Sequence, residues 1–223
     1  MQNYKKEFIE FLVKNQALQF GDFTLKSGRQ SPYFINTGVF ESGEAIGLLG
    51  YYYASLIEDE LGDDFNVVFG PAYKGISLAI ATVISLEKDF EKNKLYTFNR
   101  KEVKDHGDKK LFIGHQLKDG DKLVMIDDVI TDGGTKFETV ELINAVAKVK
   151  YQGLVVAVNR QEKTAEGADA FKNIEEKIGM PVKAIVTVRE IMDHLTGKEI
   201  GGKVYLTKEK ANEMEEYLKK YGI

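Results

Sequence analysis

No cysteine occurs among the 223 residues, which excludes disulfides, thiolate nucleophiles and Cys-ligated zinc or iron–sulfur centres. Histidine is scarce as well: His106, His115 and His194 are too scattered to suggest a His-rich metal site. Positive charge is not in excess, since 31 Lys and Arg face 35 Asp and Glu for a net charge of −4. That balance argues against a general binder of nucleic acid or anionic membrane. Long hydrophobic runs are absent too. The longest stretch free of charged residues, Ala45 to Ile57, has 13 residues, short of the roughly 18 to 20 that span a bilayer. Met1 to Glu7 lead into no apolar signal core, so a cytosolic location is expected. Neither G-x-x-x-x-G-K-[ST] nor G-x-G-x-x-G occurs, which removes most support for kinase or dehydrogenase readings.

What is present is an ordinary globular composition, 43% hydrophobic and 30% charged, at a length ample for a buried core. No repeat, low-complexity tract or linker divides the chain, so one domain over residues 1–223 is expected. Phe8, Phe11 and Leu12 recur at helical spacing in an amphipathic first helix over Tyr4 to Val13. Phe20 to Leu25 and Ser31 to Thr37 read as extended, with a turn at Gly28, and a second helix runs from about Glu44 to Leu61. From there strands alternate with helices. Strands are predicted at 66–69, 95–98, 123–126, 154–158 and 182–188, and helices at 75–88, 135–148, 168–177 and 207–221. Short continuous apolar strands between helices indicate a parallel sheet covered on both faces, an α/β fold. The polar run Arg100 to Lys110 has no core-facing period and reads as a loop.

The most informative segment is Lys122 to Thr135, K-L-V-M-I-D-D-V-I-T-D-G-G-T. A buried strand ends in two adjacent carboxylates, and a glycine-bearing turn then opens a helix at the edge of the sheet where ligands bind. Amides of Thr131 to Thr135 can converge on a phosphate there, aided by the glycines and the helix start. Two carboxylates beside a phosphate loop suit a ligand that also has hydroxyls or brings a divalent cation, as a sugar phosphate does. The bland alternative is an N-capping acid before a tight turn.

This unit resembles the hallmark of the type I phosphoribosyltransferases, which binds 5-phosphoribosyl-1-diphosphate; Asp132 stands where that family usually has a small or basic residue. Four further segments are similar to orotate phosphoribosyltransferases: Phe23 to Asn36, Phe69 to Gly75, Phe98 to Gly107 and Asn159 to Glu162. The likeness runs in order over roughly residues 4 to 195. It implies a central, mostly parallel sheet flanked by helices, a small N-terminal hood over about residues 1–40 and a flexible catalytic loop over about 100–112.

The resemblance also implies the activity and its residues. A pentosyltransferase would move the 5-phosphoribosyl group from 5-phospho-α-D-ribose 1-diphosphate to N1 of orotate. The products are orotidine 5′-phosphate and diphosphate, a step of de novo pyrimidine (UMP) synthesis. The phosphoribosyl diphosphate would meet Lys26, Tyr73, Lys74, Arg100, Lys101, Lys104, His106, Asp127 and Asp128, with the loop Val129, Ile130, Thr131, Asp132, Gly133, Gly134 and Thr135. Orotate would meet the Phe34–Ile35 backbone, Thr131 and Arg160, although Ile35 replaces a second aromatic common in the family. Arg160 also makes sense unaided: it follows an apolar strand, and a planar guanidinium pairs bidentately with a carboxylate, which would select orotate over uracil. A surface ion pair with Glu162 is its bland reading.

Lys104, His106, Asp127 and Asp128 would do the catalytic work. Lys104 and His106 would act on the leaving diphosphate and the aspartates at the ribose. Mg²⁺ would be held mainly by substrate oxygens, with water linking it to Asp127 or Asp128. The loop with five cations, Arg100, Lys101, Lys104, Lys109 and Lys110, would close over the site and exclude water. In the family that loop enters the neighbouring subunit's site, which implies a homodimer with shared sites. His115 and His194 are expected to be structural or surface residues. The rival readings are a purine phosphoribosyltransferase, disfavoured by Phe34–Ile35 and Arg160, and a non-catalytic regulator. A regulator would show a lost basic loop or an added DNA-binding domain; neither is seen.

Overall fold

In the computed structural model, residues 1–25, 28–101, 111–130 and 133–223 are described. Helix α1 (Asn3–Lys14) leads to strands β1 (Leu18–Thr24) and β2 (Gln30–Ile35), which pair as an antiparallel hairpin. A single 3₁₀ turn at Thr37–Val39 precedes α2 (Gly43–Glu60), capped by the Ser42 hydroxyl. Then come β3 (Val67–Phe69), α3 (Lys74–Phe90), β4 (Leu95–Asn99), β5 (Phe112–Gly114), β6 (Lys122–Ile126), α4 (Gly134–Asn144) and β7 (Lys150–Asn159). The chain ends with α5 (Ala170–Ile178), β8 (Val182–Thr187), α6 (Val188–Leu195), β9 (Glu199–Ile200), β10 (Lys203–Val204) and α7 (Lys208–Tyr221).

The main sheet has the order β5-β4-β3-β6-β7-β8, and only the edge pairing of β4 with β5 is antiparallel. Cover on both faces, combined with period-two alternation, explains the continuous apolar runs Val67–Phe69, Leu123–Ile126 and Leu154–Val158 in its central strands. In β6, Val124 and Ile126 enter a core shared with α1, α2, α3, α6 and α7, while Leu123 and Met125 enter a second core under α4 and α5. Strands β3 and β7 divide their side chains the same way, Val68 and Val155 to one core, Phe69 and Leu154 to the other. Each such side chain, fully buried, contributes about 1.5 to 3 kcal/mol.

Several boundaries move from the expected ones. The strand placed over 182–188 stops at Thr187, because Thr187 and Glu190 form a capping box that starts α6. The helix expected to reach Lys148 ends at Asn144, and β7 begins at Lys150 rather than Leu154. Strands β5, β9 and β10 are two or three residues long and carry no periodic signal. Of the loop read over Arg100 to Lys110, residues 102–110 lie outside the described residues. Among the described residues no helix is long and apolar enough to cross a membrane.

Candidate active site

In a parallel sheet, ligands bind at the carboxyl edge where two adjacent strands send their connections opposite ways. That point lies between β3 and β6: α3 carries the chain from β3 to β4, and α4 carries it from β6 to β7 on the other side. The predicted residues Lys74, Asp127 and Asp128 stand there. Lys74 opens α3, and its Nζ donates to Asp128 Oδ2 at 2.7 Å across the divide.

The turn that presents Lys74 depends on two glycines. A Cβ on Gly70 would stand 1.9 Å from the Gly75 carbonyl oxygen, and one on Gly75 would stand 2.6 Å from Pro71 Cδ. The Ala72–Tyr73 peptide is cis, and Asn99 Oδ1, from the end of β4, accepts the Ala72 amide at 3.0 Å. Tyr73 is 70% exposed, and Lys101 Nζ lies 4.7 Å from its ring centroid. Lys101 thus lies over Tyr73, the residue next to Lys74. Arg100 Nε, one residue before Lys101, is buried and has no hydrogen-bond partner among the described residues.

The two aspartates have pinned backbones and differently held carboxylates. The Asp127 amide donates to Val155 O at 3.0 Å, Ala157 N donates to Asp128 O at 3.0 Å, and the buried Tyr53 hydroxyl of α2 donates to Asp127 O at 2.8 Å. Lys136, from the first turn of α4 and only 5% exposed, closes on Asp127 Oδ2 in an ion pair. Asp128 instead takes the exposed Lys74, the Val129 amide at 2.9 Å and the Thr37 hydroxyl at 3.1 Å. Burial is the largest influence on both. It raises Asp127 above the usual carboxylate range even against Lys136. For Asp128 the Lys74 ammonium, the Val129 amide and Thr37 outweigh burial, and its carboxyl titrates below that range.

Beyond the aspartates, Gly133 adopts φ +88°, a conformation that costs other residues strain, and leads into the amide-bearing start of α4 at Gly134 and Thr135. That helix start suits an anion. Val129 and Ile130 connect the aspartates to it. Thr131, Asp132, Lys26, Lys104 and His106 lie outside the described residues.

Arg160 follows β7 and is tied to Glu162, with Nη2 at 2.7 Å and Nε at 3.0 Å from Oε1. The ion pair considered as its bland reading does exist, yet it is not a surface pair: the side chains are 18% and 9% exposed. The guanidinium stacks 4.3 Å from the Tyr33 ring, and Arg29 reaches the same carboxylate at 3.1 Å. Two guanidinium groups thus share one carboxylate, and Arg160 Nη1 donates to nothing among the described residues. The cluster has positive charge in surplus and a free donor edge, the requirement for an acidic ligand. Phe34 is partly exposed on β2 and stacks on Phe23 with centroids 5.5 Å apart, while Ile35 is partly buried. Thr37 ties the end of this strand to Asp128.

Lys136, Thr37 and Tyr53 are site residues that the sequence reading missed. Lys136 sits directly after the glycine loop, which could have flagged it; Thr37 and Tyr53 are brought in by other elements and leave no local signal. His115 bonds Asp121 at 2.8 Å and His194 bonds Glu10 at 3.2 Å, structural partners as expected. Among the described residues no three His, Asp or Glu side chains gather as a metal site.

No protein-family model matches the chain. The orotate phosphoribosyltransferase of Lachnoclostridium phytofermentans is 47% identical over 223 residues, covering 100% of this chain and 99% of that protein. That of Clostridium acetobutylicum is 41% identical over 223 residues and covers both chains fully. Among solved structures, the orotate phosphoribosyltransferase of Francisella tularensis superposes with a TM-score of 0.85 at 35% identity, covering 97% of this chain and all of that one.

Proposed function

The chain belongs to the orotate phosphoribosyltransferase family, and we propose how its own residues perform the transfer of a phosphoribosyl group from its diphosphate to N1 of orotate. The observation that carries the choice of base is the Nη1 edge of Arg160, which has no partner among the described residues, in a cluster with surplus positive charge. Orotate brings the carboxylate that fits it; uracil and the purine bases do not.

The ribose 5-phosphate takes the start of α4 beyond Gly133, and the ribose hydroxyls take Asp128 and Asp127. Lys74, Tyr73, Arg100 and Lys101 face the diphosphate, joined by Lys26, Lys104 and His106. Bond breaking leaves oxocarbenium character on the anomeric carbon and builds negative charge on the departing diphosphate. Cations held in place for that charge lower the barrier. N1 of orotate belongs to an acidic ring system, so the attack needs no strong base from the chain. Lys74 has two roles: it neutralises Asp128 and turns to the diphosphate when substrate arrives. Its exposure permits the swing.

Magnesium ion fits this site as a guest of the substrate. Asp127 and Asp128 offer hard oxygen donors of the kind it prefers, and substrate oxygens would complete its shell. When bound, it would neutralise diphosphate charge.

We also propose a homodimer in which the segment around Lys104 serves the neighbouring site. Ile84, Leu95 and Tyr96 support the dimer, being 48%, 46% and 37% exposed on α3 and at the start of β4, an apolar patch fit for a second copy. Analytical ultracentrifugation at micromolar concentration tests this, and a monomer would exclude it. A cytoplasmic location accords with charged, phosphorylated substrates that do not cross membranes unaided. The single-domain reading accords with both cores lying on one sheet.

Purified protein with phosphoribosyl diphosphate, Mg²⁺ and orotate, uracil, hypoxanthine or adenine tests the whole reading. Orotate absorbance should fall, with no turnover of the other bases. Turnover of a purine in its place would overturn it.

A further inference from the structure

The segment after Leu195 matches none of the motifs that carry the family resemblance, yet its last helix reaches the base-recognition cluster. The Tyr217 hydroxyl of α7 donates to Glu162 Oε2 at 3.0 Å. Tyr217 is 7% exposed and meets the Tyr33 ring edge-on, with centroids 6.1 Å apart. The Tyr33 hydroxyl donates to the other oxygen, Oε1, which also receives both bonds from Arg160. Glu162 is thus surrounded by donors on both oxygens, and with Ser31 Oγ, which accepts from Nη2 at 3.3 Å, it holds the Arg160 guanidinium in place.

The main chain reinforces this hold. Lys163 N donates to Tyr221 O at 2.8 Å and Ile223 N donates to Gln161 O at 3.0 Å, bracketing Glu162 in a short antiparallel bridge with the C-terminal residues. Arg29, which shares Oε2, stacks 4.5 Å from the Tyr221 ring. Nothing in the mechanism above uses Tyr217 or Glu162 directly.

We propose that Tyr217 and Glu162 are positioning residues for substrate selection: the C-terminal helix holds Glu162 so that Arg160 presents Nη1 to the substrate carboxylate. The proposal rests on the reading of Arg160 as the carboxylate-binding residue. Without the Tyr217 hydroxyl, Glu162 keeps its charge but loses one of its fixed partners. Arg160 then samples orientations in which Nη1 is turned away, and the penalty falls only on ligands that carry the carboxylate.

Orotidine 5′-phosphate and uridine 5′-phosphate differ only by that carboxylate, so their calorimetric dissociation constants isolate it without depending on turnover. In the unaltered protein orotidine 5′-phosphate should bind more tightly. Tyr217→Phe should weaken it about five- to tenfold, the scale of one lost hydrogen bond, and leave uridine 5′-phosphate within twofold. Glu162→Gln should reduce the discrimination further. In an Arg160→Gln background, Tyr217→Phe should have no additional effect. A merely structural role would weaken both nucleotides alike, and that result overturns the proposal. So does an unchanged ratio in Tyr217→Phe when Arg160→Gln abolishes the discrimination. If Arg160→Gln itself leaves the ratio intact, the reading of Arg160 fails and this proposal falls with it.

Discussion

Lys74 Nζ and Asp128 Oδ2 stand 2.7 Å apart across the point where the sheet's connections diverge, joining the turn after β3 to the end of β6. The lysine is 61% exposed and the aspartate 13%. An ion pair with one partner so open to water contributes little to stability, about 0 to 1 kcal/mol. Its place between two strand ends, and not its strength, gives it importance.

Lys74→Ala should therefore leave the thermal midpoint nearly unchanged while lowering kcat/KM for phosphoribosyl diphosphate by roughly 10² to 10³, the usual effect of removing a group that stabilises transition-state charge. Steady-state kinetics and a melting curve on one preparation check both halves. A large drop in the midpoint with little kinetic change would assign Lys74 to structure instead.

The neighbouring pair behaves oppositely. Lys136 and Asp127 are both largely buried, so removing only the lysine leaves an uncompensated carboxylate inside the protein, at a cost of about 3 to 5 kcal/mol. Lys136→Met should show that loss in urea unfolding. Adding Asp127→Asn should restore much of it, because no charge then remains to be buried. If the double variant is as unstable as the single one, the pair is not what holds this part of α4.

Asp121 provides a test in pH. Its buried carboxylate accepts from Asn66 Nδ2 at 2.9 Å, the Lys118 amide at 3.0 Å and His115 Nε2 at 2.8 Å. Burial alone would raise it, but these donors prevail and its carboxyl titrates below the ordinary aspartate value. A folded-state value below the unfolded one, about 3.9, means stability that is fully present above about pH 4 and lost as pH falls through the folded value. Asp121→Asn should melt below the unaltered protein at neutral pH, and the gap should narrow only under acid conditions below that point. A gap that is independent of pH down to complete unfolding would contradict this.

The proposed sharing of sites between two copies makes a prediction by complementation. The Lys104→Ala and Arg160→Ala proteins should each be nearly inactive on their own. A doubly tagged heterodimer should recover about half of the unaltered activity, since one of its two sites then draws both intact residues. No recovery in verified heterodimers would mean that each chain completes its own site.

Much of the frame was legible along the chain. The apolar runs of β3, β6 and β7 needed no tertiary information, because a strand covered on both faces must be apolar at every position. The acidic pair and glycine turn of Asp127 to Thr135 were equally local, since strand, carboxylates, turn and helix start follow one another directly. Thr187 and Glu190 carried a capping signal that could have ended β8 in the right place. The two-residue strands β9 and β10 lacked any period to read.

The sequence by itself thus determined the class of fold and the acidic pair, glycine turn and helix start that gather at the carboxyl edge of the sheet, since each is encoded in consecutive residues. Only the tertiary structure decided who neutralises whom. Lys136 takes Asp127 while Lys74 and Thr37 take Asp128, and Glu162 is gripped by Tyr33 and Arg29 of the β1–β2 hairpin and by Tyr217 of α7. Such pairings depend on the directions in which distant helices and strands deliver their side chains, and on how much water the packing leaves around each charge. Neither quantity is a property of a local run of residues.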